Sequence, residues 1–460
     1  MARHTRPAAG VTAAVPPGWL GTLLRLAVPA TLGSLIQSAI FFAEAGFLAR
    51  GGAQALAGVA VAFPLVMLTM MLSTGAVGGA VAGSTARALG ARDADGASAV
   101  LLSAVGLAVF FWALFGVLIW VFGEAFFAWA GARDVALEGA VAYARTFFAG
   151  GLLVWLFNML GSVLRGSGDM KGPAWAIALV LLSYLAWMGL TFDVRADVVG
   201  ALRADARGLL FAYLVGLSCV VWMLLRPGQA VRPRAPRRAD LAVAMRVLRQ
   251  GVIAGAQTVF MIAYSLMATA LMATLGRPWL AGYGVAVRLE LLLVPLIFGI
   301  GGSLIALVGA RVGAGERAQA IALAWRGGWL TMGLLSTLGI VLSFWPMLWC
   351  GPVSSGPEVA GHCAQALGVL APFYGWFGLG LCLYFASQGL NTLVWPVVGA
   401  MIRFVIVAAV VIGGFDAVGQ AGPSLAWIAV AMTSYGVFVA LALWLGPWRA
   451  PRTPERIAHE

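Results

Sequence analysis

The stretch LLSAVGLAVFFWALFGVLIWVF (Leu101 to Phe122) is continuously apolar and contains no charged residue. A helix of about 20 apolar residues crosses a hydrocarbon core about 30 Å thick, so this stretch can span a membrane. A comparable stretch, WRGGWLTMGLLSTLGIVLSFWPMLW, runs from Trp325 to Trp349. Neither shows the alternation of apolar and polar residues that marks the strands of a membrane β-barrel. Because such runs recur along the chain, the sequence predicts an all-α integral membrane protein with about 12 transmembrane helices.

The composition agrees with a protein surrounded by a lipid bilayer. The chain has 460 residues, of which 62% are hydrophobic and 10% charged, whereas a soluble domain has about 25% charged residues. The net charge of +12 would suit a nucleic-acid partner. However, the basic residues lie singly at the ends of apolar runs and form no patch, so we expect no nucleic-acid binding.

The basic residues also predict the orientation. With both termini in the cytoplasm, most arginines face inward, as the positive-inside rule requires. The arginines that would face outward are few: Arg50, Arg133, Arg195, Arg203, Arg207 and Arg277. The first residues, MARHTRPAAGVTAAVPP, lack an apolar core and are predicted to be a cytoplasmic tail rather than a signal peptide. We therefore expect a multi-pass protein of the bacterial inner membrane.

An internal repeat predicts two lobes. An offset of 224 residues aligns Gly52 with Gly276 and Gly75 with Gly299 without a gap. Between the halves lies the basic, proline-rich segment RPGQAVRPRAPRRAD. The predicted organisation is a tail (1–17), a six-helix lobe (18–225), a cytoplasmic linker (226–245), a second six-helix lobe (246–447) and a tail (448–460). Such parallel bundles serve alternating access in transporters, although a repeat can also record gene duplication alone.

Five segments resemble motifs of the MATE (multidrug and toxic compound extrusion) family. The segment from Leu24 to Pro64 is similar to its first two helices, and TARALGARDADGA (Thr85 to Ala97) and VLRGSGDMKGP (Val163 to Pro173) are similar to its following loops. The second half repeats these loops as GARVGAGERAQA (Gly309 to Ala320) and QGLNTLVWP (Gln388 to Pro396). The resemblance covers nearly the whole chain. It implies a V-shaped pair of bundles and an antiporter that exports amphipathic, often cationic, organic compounds.

Energy for such transport must come from an ion gradient, because the chain contains no nucleotide-binding motif. We expect no cofactor other than the coupling ion, H⁺ or Na⁺, and a monomeric protein. An enzyme is not expected, since His4, His362 and His459 all lie outside the predicted spans. The rival function is a flippase for a lipid-linked precursor, which would need a cavity rich in arginine. A channel is a third option.

Ionisable side chains within a membrane are costly and are functional candidates. By the resemblance, Glu44 occupies the position of an acid that follows the first-helix proline, here Pro29. Burial raises the pKa of a carboxyl group towards neutrality, and a carboxylate can equally bind sodium. Alternatively, Glu44 lies near Arg50 at the outer interface and is solvated. Pro29 either bends the first helix during coupling or makes a static kink.

The sequence departs from the family at other acidic positions. The resemblance implies a second acid in the fifth helix, where this chain has Trp187, with Ser183 in the place of an asparagine. Acids of the seventh and tenth helices are replaced by Met261 and Trp376. We therefore expect Glu44, the only acid embedded in a predicted first-lobe span, to be the best single coupling residue, and H⁺ to be favoured over Na⁺.

Three charged residues fall in second-lobe spans. Arg288 and Glu290 are two residues apart and point to different faces of a helix. Arg403 is a possible partner for Glu290, and we expect all three to be structural. Further polar residues either line the cavity with Ser183 and Trp187 or bond neighbouring helices; they are Gln37, Asn158, Tyr184, Gln257 and Tyr264.

The four cysteines indicate no metal or redox centre. Cys219 and Cys382 lie in apolar segments. Cys350 and Cys363 flank a predicted outward loop, where a disulfide and two free thiols are both consistent with the sequence.

Overall fold

A computed structural model describes residues 18–193, 197–414, 419–446 and 448. The predicted tail at 1–17 lies outside the described residues. So does the predicted tail at 448–460, apart from Trp448. Arg195, one of the predicted outward-facing arginines, is also outside them.

The first lobe consists of eight helices, of which α2 and α3 are joined by a π-helical segment, Leu72–Ala76. These helices are α1 (Trp19–Arg50), α2 (Ala53–Met71), α3 (Val77–Gly90), α4 (Ala94–Trp129), α5 (Asp134–Ala149), α6 (Leu152–Gly166), α7 (Lys171–Thr191) and α8 (Val198–Leu225). Pro29 lies inside α1 and is half-buried.

The second lobe also consists of eight helices. They are α9 (Asp240–Ala273), α10 (Arg277–Gly313), α11 (Arg317–Phe344), α12 (Met347–Val353), α13 (Pro357–Leu370), α14 (Tyr374–Leu390), α15 (Val394–Gly413) and α16 (Ala421–Leu445). Cys350 and Cys363 form a disulfide between α12 and α13. The helix α9 begins at Asp240, inside the predicted linker (226–245), so the end of that segment is helical. An acidic residue in the first turn suits the positive end of the helix dipole.

The number of spans agrees with the predicted fold class. Eleven helices or continuous helix pairs of the described chain are long and apolar enough to cross a membrane, and α5 with α6 makes a twelfth that is bent by 51°. The bend occurs at Gly150 and Gly151, where α5 ends and α6 has not yet begun. The core contains two large hydrophobic clusters, one made mainly of first-lobe residues and the other mainly of second-lobe residues.

The two lobes meet at the end of the molecule that carries the linker. A Cβ atom on Gly90 of α3 would lie 2.0 Å from the carbonyl oxygen of Ala310 in α10. A Cβ atom on Gly313 of α10 would likewise lie 2.0 Å from the carbonyl oxygen of Arg87. Glycine at these positions therefore allows the backbones of the two lobes to touch.

Arg87 ties the lobes together at the same end. Its Nη1 donates to the carbonyl oxygens of Gln388 (2.8 Å) and Gly389 (3.0 Å), which close α14 in the second lobe. Its Nη2 donates to Oε1 of Gln250 in α9 (3.0 Å). A cation suits the carbonyl-rich end of a helix, so Arg87 stabilises the contact between the lobes at this end. We call this contact the seal.

The linker is anchored to both lobes at this end. Arg234 contacts Asp240 of α9 (2.7 Å) and Asp95 of α4 (3.5 Å). The hydrogen bond to the Asp240 carboxylate raises the pKa of Arg234 above its ordinary value. These contacts hold the linker against the sealed end of the molecule.

Candidate functional site

Glu44 is buried in the first lobe. The buried positions Ile40, Glu44 and Leu48 follow one another every four residues, so they share one face of α1. Glu44 is only 3% exposed, which places it in the bundle interior and not in solvent at the outer interface. The Oη of Tyr143, from α5, donates a hydrogen bond of 2.5 Å to Oε1 of Glu44.

A second buried acid, Asp205, lies beside Glu44. Asp205 belongs to α8 and is 0% exposed. The Oη of Tyr184, from α7, donates a hydrogen bond of 2.5 Å to its Oδ1. The carboxyl groups of Glu44 and Asp205 lie within hydrogen-bonding reach of each other, while Oδ2 of Asp205 has no partner. We call Glu44, Asp205, Tyr143 and Tyr184 the carboxyl cluster.

Asp205 corrects the prediction that Glu44 is the only acid embedded in the first lobe. The flanking Arg203 and Arg207 suggested an outward-facing segment, but both arginines are exposed on one side of α8. The buried side of this part of α8 contains Ala201, Leu202, Asp205, Ala206 and Leu209. This spacing is that of one helix face and was a signal in the sequence that could have identified Asp205.

Aromatic rings surround the carboxyl cluster. Phe147 stacks on Tyr143 with ring centroids 6.1 Å apart, and Phe47 makes an edge contact of 6.2 Å with Tyr184. Within the described residues, no arginine, lysine or histidine forms an ion pair with either carboxyl group. The cluster therefore brings two acids together in an apolar setting without a counter-cation.

A second group of polar side chains in the first lobe bonds neighbouring helices. Nε2 of Gln37 donates to the Oη of Tyr213 in α8 (3.1 Å). Nδ2 of Asn158 donates to the Oγ of Ser73 (2.8 Å), which belongs to the π-helical segment. Both groups approach Sδ of Met70, since Asn158 and Tyr213 each lie 3.7 Å from it. Single π-helical turns occur often at functional sites.

Ser183 and Trp187 do not replace the acid expected in the fifth span. Both are half-buried residues of α7. The ring of Trp187 packs against that of Phe211, with centroids 4.7 Å apart. The second carboxyl group comes instead from Asp205 on the next helix, while Tyr184 of the predicted set does join the carboxyl cluster.

In the second lobe, the guanidinium group of Arg403 is buried among aromatic rings. It lies 3.6 Å from the ring centroid of Tyr264 and 4.9 Å from that of Phe377. Its Nη1 contacts Sδ of Met261 at 3.5 Å. Glu290 lies close enough for an electrostatic interaction, yet Arg403 and Glu290 form no ion pair among the described residues. The guanidinium group therefore packs against aromatic rings and does not form the expected ion pair.

The other predicted residues of the second lobe lie apart from this pair. Arg288 is exposed on α10, whereas Glu290 is half-buried. Nε2 of Gln257 donates a hydrogen bond of 2.7 Å to the Oη of Tyr435 in α16. Gln257 therefore bonds two helices in the same way as Gln37 does in the first lobe.

Comparison with known proteins gives a consistent result. The MatE family model matches residues 29–188 and 254–412, which is well over half of the chain. The chain is 25% identical to a FAD transporter of Shewanella oneidensis over 379 residues, covering 79% of this chain and 80% of that protein.

Two further similarities involve a bacterial protein and a solved structure. The chain is 23% identical to the probable multidrug resistance protein YpnP of Bacillus subtilis, covering 65% of this chain and 66% of that protein. A crystal structure of MATE in the bent conformation superposes with a TM-score of 0.83 at 19% identity, covering 94% of this chain and 98% of that one.

Proposed function

The chain belongs to the MatE family, and on this basis we propose that it exports amphipathic organic molecules as an antiporter driven by an inward proton gradient. The observation that carries the proposal is the burial of two neighbouring acids, Glu44 and Asp205, in the first lobe. Ionisable groups inside a membrane protein are expensive and mark ion pathways. Two of them in contact require a compensating ion.

A proton is the ion that suits this arrangement best. Two carboxylates in contact in an apolar interior repel each other, and one shared proton removes the repulsion. Such a proton would bridge to the unpartnered Oδ2 of Asp205. Sodium would need several oxygen ligands with free lone pairs, whereas Tyr143 and Tyr184 each direct a hydrogen at a carboxyl oxygen. We therefore favour H⁺ over Na⁺.

We propose that α1 transmits the protonation state to the second lobe. Glu44 lies towards one end of α1, and Pro29 lies between Ala27 and Thr31 in the other half. A Cβ atom on Gly299 of α10 would meet Oγ1 of Thr31 at 1.8 Å, so this part of α1 touches the second lobe directly. A bend at Pro29 would therefore displace the contact between the lobes, as alternating access requires.

The sealed end of the molecule, in this proposal, faces the cytoplasm. It carries the basic linker, as the positive-inside rule favours. The cavity between the lobes then opens to the other side, where protons enter and substrate leaves. The two relatives named above, a FAD transporter and a probable multidrug resistance protein, support organic molecules as the substrate class.

A flippase for lipid-linked precursors is the second candidate, and the buried charges do not favour it. Arg403 is the one arginine among the fully buried polar residues described. A cavity that holds a lipid pyrophosphate would need several such cations.

Transport by purified protein in liposomes tests the proposal. Release of a fluorescent organic cation would be followed under an imposed proton gradient and, separately, under an imposed sodium gradient. We expect export with the proton gradient alone. Export that depends on the sodium gradient, or that is independent of both gradients, would contradict the proposed coupling.

A further inference from the structure

The second lobe contains a cluster of buried polar groups that have no partner. Three atoms from three helices are unpaired, together with the Oη of Tyr264 in α9: they are Nε of Arg403 in α15, Oε1 of Glu290 in α10 and Oη of Tyr374 in α14. Arg403 and Glu290 interact electrostatically, as do Glu290 and Tyr374. Unpaired buried donors and acceptors are costly, so each such group in a native protein needs an explanation. We call these three residues, with Tyr264, the arginine cluster.

Nε of Arg403 has no hydrogen-bond partner, although the guanidinium group packs against aromatic rings. Its central carbon lies 3.6 Å from the ring centroid of Tyr264 and 4.9 Å from that of Phe377. Aromatic contacts of this kind stabilise the cation but leave its N–H groups in need of a conventional acceptor. A hydrogen-bond acceptor that approaches Nε would meet this need. The natural acceptor for an arginine edge is an anionic oxygen of a carboxylate or phosphate group.

Glu290, which interacts electrostatically with Arg403, favours a ligand group of the opposite kind. Its unpaired Oε1 accepts hydrogen bonds and carries negative charge when ionised, so it favours a cationic or N–H donor. Arg403 and Glu290 do not form an ion pair with each other. Arg403 therefore needs a hydrogen-bond acceptor, and Glu290 needs a hydrogen-bond donor or a cation. Arg288, the other charged residue nearby on α10, is exposed and points to a different face.

The arginine cluster has an open side. Glu290 and Met261 are half-buried, whereas Arg403, Tyr264 and Tyr374 are buried. The half-buried Glu290 is therefore the charged member of the cluster that an entering group would meet first, and the buried Arg403 lies behind it.

From these observations we infer that the arginine cluster binds the zwitterionic head group of a transported molecule, with its acidic group on Arg403 and its basic group on Glu290. The inference rests on the proposed function, because it names the substrate class of the same exporter. It separates the roles of the lobes: the carboxyl cluster would hold the proton and the arginine cluster would select the substrate.

Equilibrium binding tests this inference without any ion gradient. The full-length protein in lipid nanodiscs would be titrated with rhodamine B, which is zwitterionic, with its ethyl ester, which is cationic, and with fluorescein, which is anionic. Fluorescence polarisation reports each affinity. Because the charged hydrogen bond to Arg403 is available only to the free carboxylate, we expect rhodamine B to bind about tenfold more tightly than its ester.

Variants of the arginine cluster test whether it causes the preference for rhodamine B over its ester. Arg403→Gln should make the affinities for rhodamine B and its ester equal, and Arg403→Lys should keep part of the difference. Glu290→Gln should strengthen the binding of fluorescein severalfold relative to rhodamine B. The matched control, Arg288→Gln, alters an exposed charge on the same helix and should leave the order of affinities unchanged.

Two results would overturn the inference. One is equal binding of rhodamine B and its ester by the unmodified protein. This result does not depend on the folding of any variant. The other is a preference that survives in Arg403→Gln. Because no gradient is applied, either result leaves the proton coupling of the first lobe untouched, and a failure of proton-driven export would leave the binding result standing.

Discussion

The two lobes share a scaffold but differ in their buried charges. In each lobe a glutamine on the first helix bonds a tyrosine on the last, as Gln37 does with Tyr213 and Gln257 with Tyr435. The first lobe adds two neighbouring buried acids, and among the described residues no cation forms an ion pair with either of them. The second adds Arg403 and Glu290, which do not pair. The repeat therefore conserves helix packing, while the chemistry of the two lobes has diverged.

The lobes also differ in the helix that follows the first span. In the first lobe it is interrupted by the π-helical segment Leu72–Ala76. The equivalent helix of the second lobe, α10, is continuous and contains Pro295. A π-helical turn carries looser hydrogen bonding than an α-helix, so the first lobe has the more deformable element. This fits its proposed role in coupling.

The largest expected effect concerns the two acids of the first lobe. Glu44→Gln and Asp205→Asn should each reduce proton-driven export in proteoliposomes to the level of empty liposomes, because neither variant can share a proton between two carboxyl groups. Substrate binding should persist. Glu44→Asp should retain part of the export, since it keeps the carboxyl group.

The control for this prediction is Glu124→Gln, which removes an acid that is 69% exposed in α4. It should transport normally. Normal export by a well-folded Asp205→Asn protein would show that the second acid has no part in coupling.

The next effect concerns the seal between the lobes. Arg87 bonds carbonyl groups of the second lobe, whereas its repeat partner Arg311 bonds Glu316 (3.2 Å) and Gln319 (2.6 Å) within its own lobe. Arg87 is half-buried, and a charged hydrogen bond contributes about 1.5–3 kcal/mol. Arg87→Gln should therefore shift the protein towards a state that is open at the linker end.

Electron–electron distance measurements would detect this shift. Spin labels at Ala94 and Ala314, both exposed at the linker end of different lobes, would report the separation. Their distance should increase in Arg87→Gln and stay the same in Arg311→Gln. Equal behaviour of the two variants would contradict the assignment of the seal to Arg87.

A smaller effect is expected from the tyrosines of the carboxyl cluster. Tyr143→Phe and Tyr184→Phe each remove one hydrogen-bond donor from a buried carboxyl group, which costs about 1–3 kcal/mol. Export should fall by about tenfold while the protein remains folded. In contrast, Tyr374→Phe in the second lobe should not change proton coupling. A coupling defect in Tyr374→Phe that matches the first two would remove the distinction between the lobes.

The smallest effect is expected at Trp187, which occupies the position of an expected acid but packs against Phe211. Trp187→Phe keeps an aromatic ring in this contact, so the rate of export should change by less than about twofold. A large loss of export with normal folding would place Trp187 at the substrate or ion pathway.

The sequence was sufficient to predict the spans and to identify Glu44 as an acid within one of them, and the structure shows that this residue is buried. Long apolar runs have few alternatives in a membrane protein, and the repeat is visible as matching residues at a fixed offset. The position of Asp205 was missed because two exposed arginines lie beside it in sequence. Sorting this segment by helix period separates Asp205 from both arginines.

The contacts between helices could not be predicted from the sequence. Glu44, Tyr143, Tyr184 and Asp205 come from four helices, and no spacing along the chain shows that they meet. The same holds for Arg403, whose pairing with Glu290 was the natural expectation for two opposite charges in lipid. Packing against Tyr264 and Phe377 keeps them apart, and such packing is known only from the structure.

The central claim is that Glu44 and Asp205 share a proton that the substrate displaces. Its most direct test is the release of protons when substrate is added to purified protein in a weakly buffered solution with a pH-sensitive dye. We expect about one proton per bound substrate for the unmodified protein and for Glu290→Gln, and none for Glu44→Gln or Asp205→Asn. Proton release by Asp205→Asn equal to that of the unmodified protein would contradict the account.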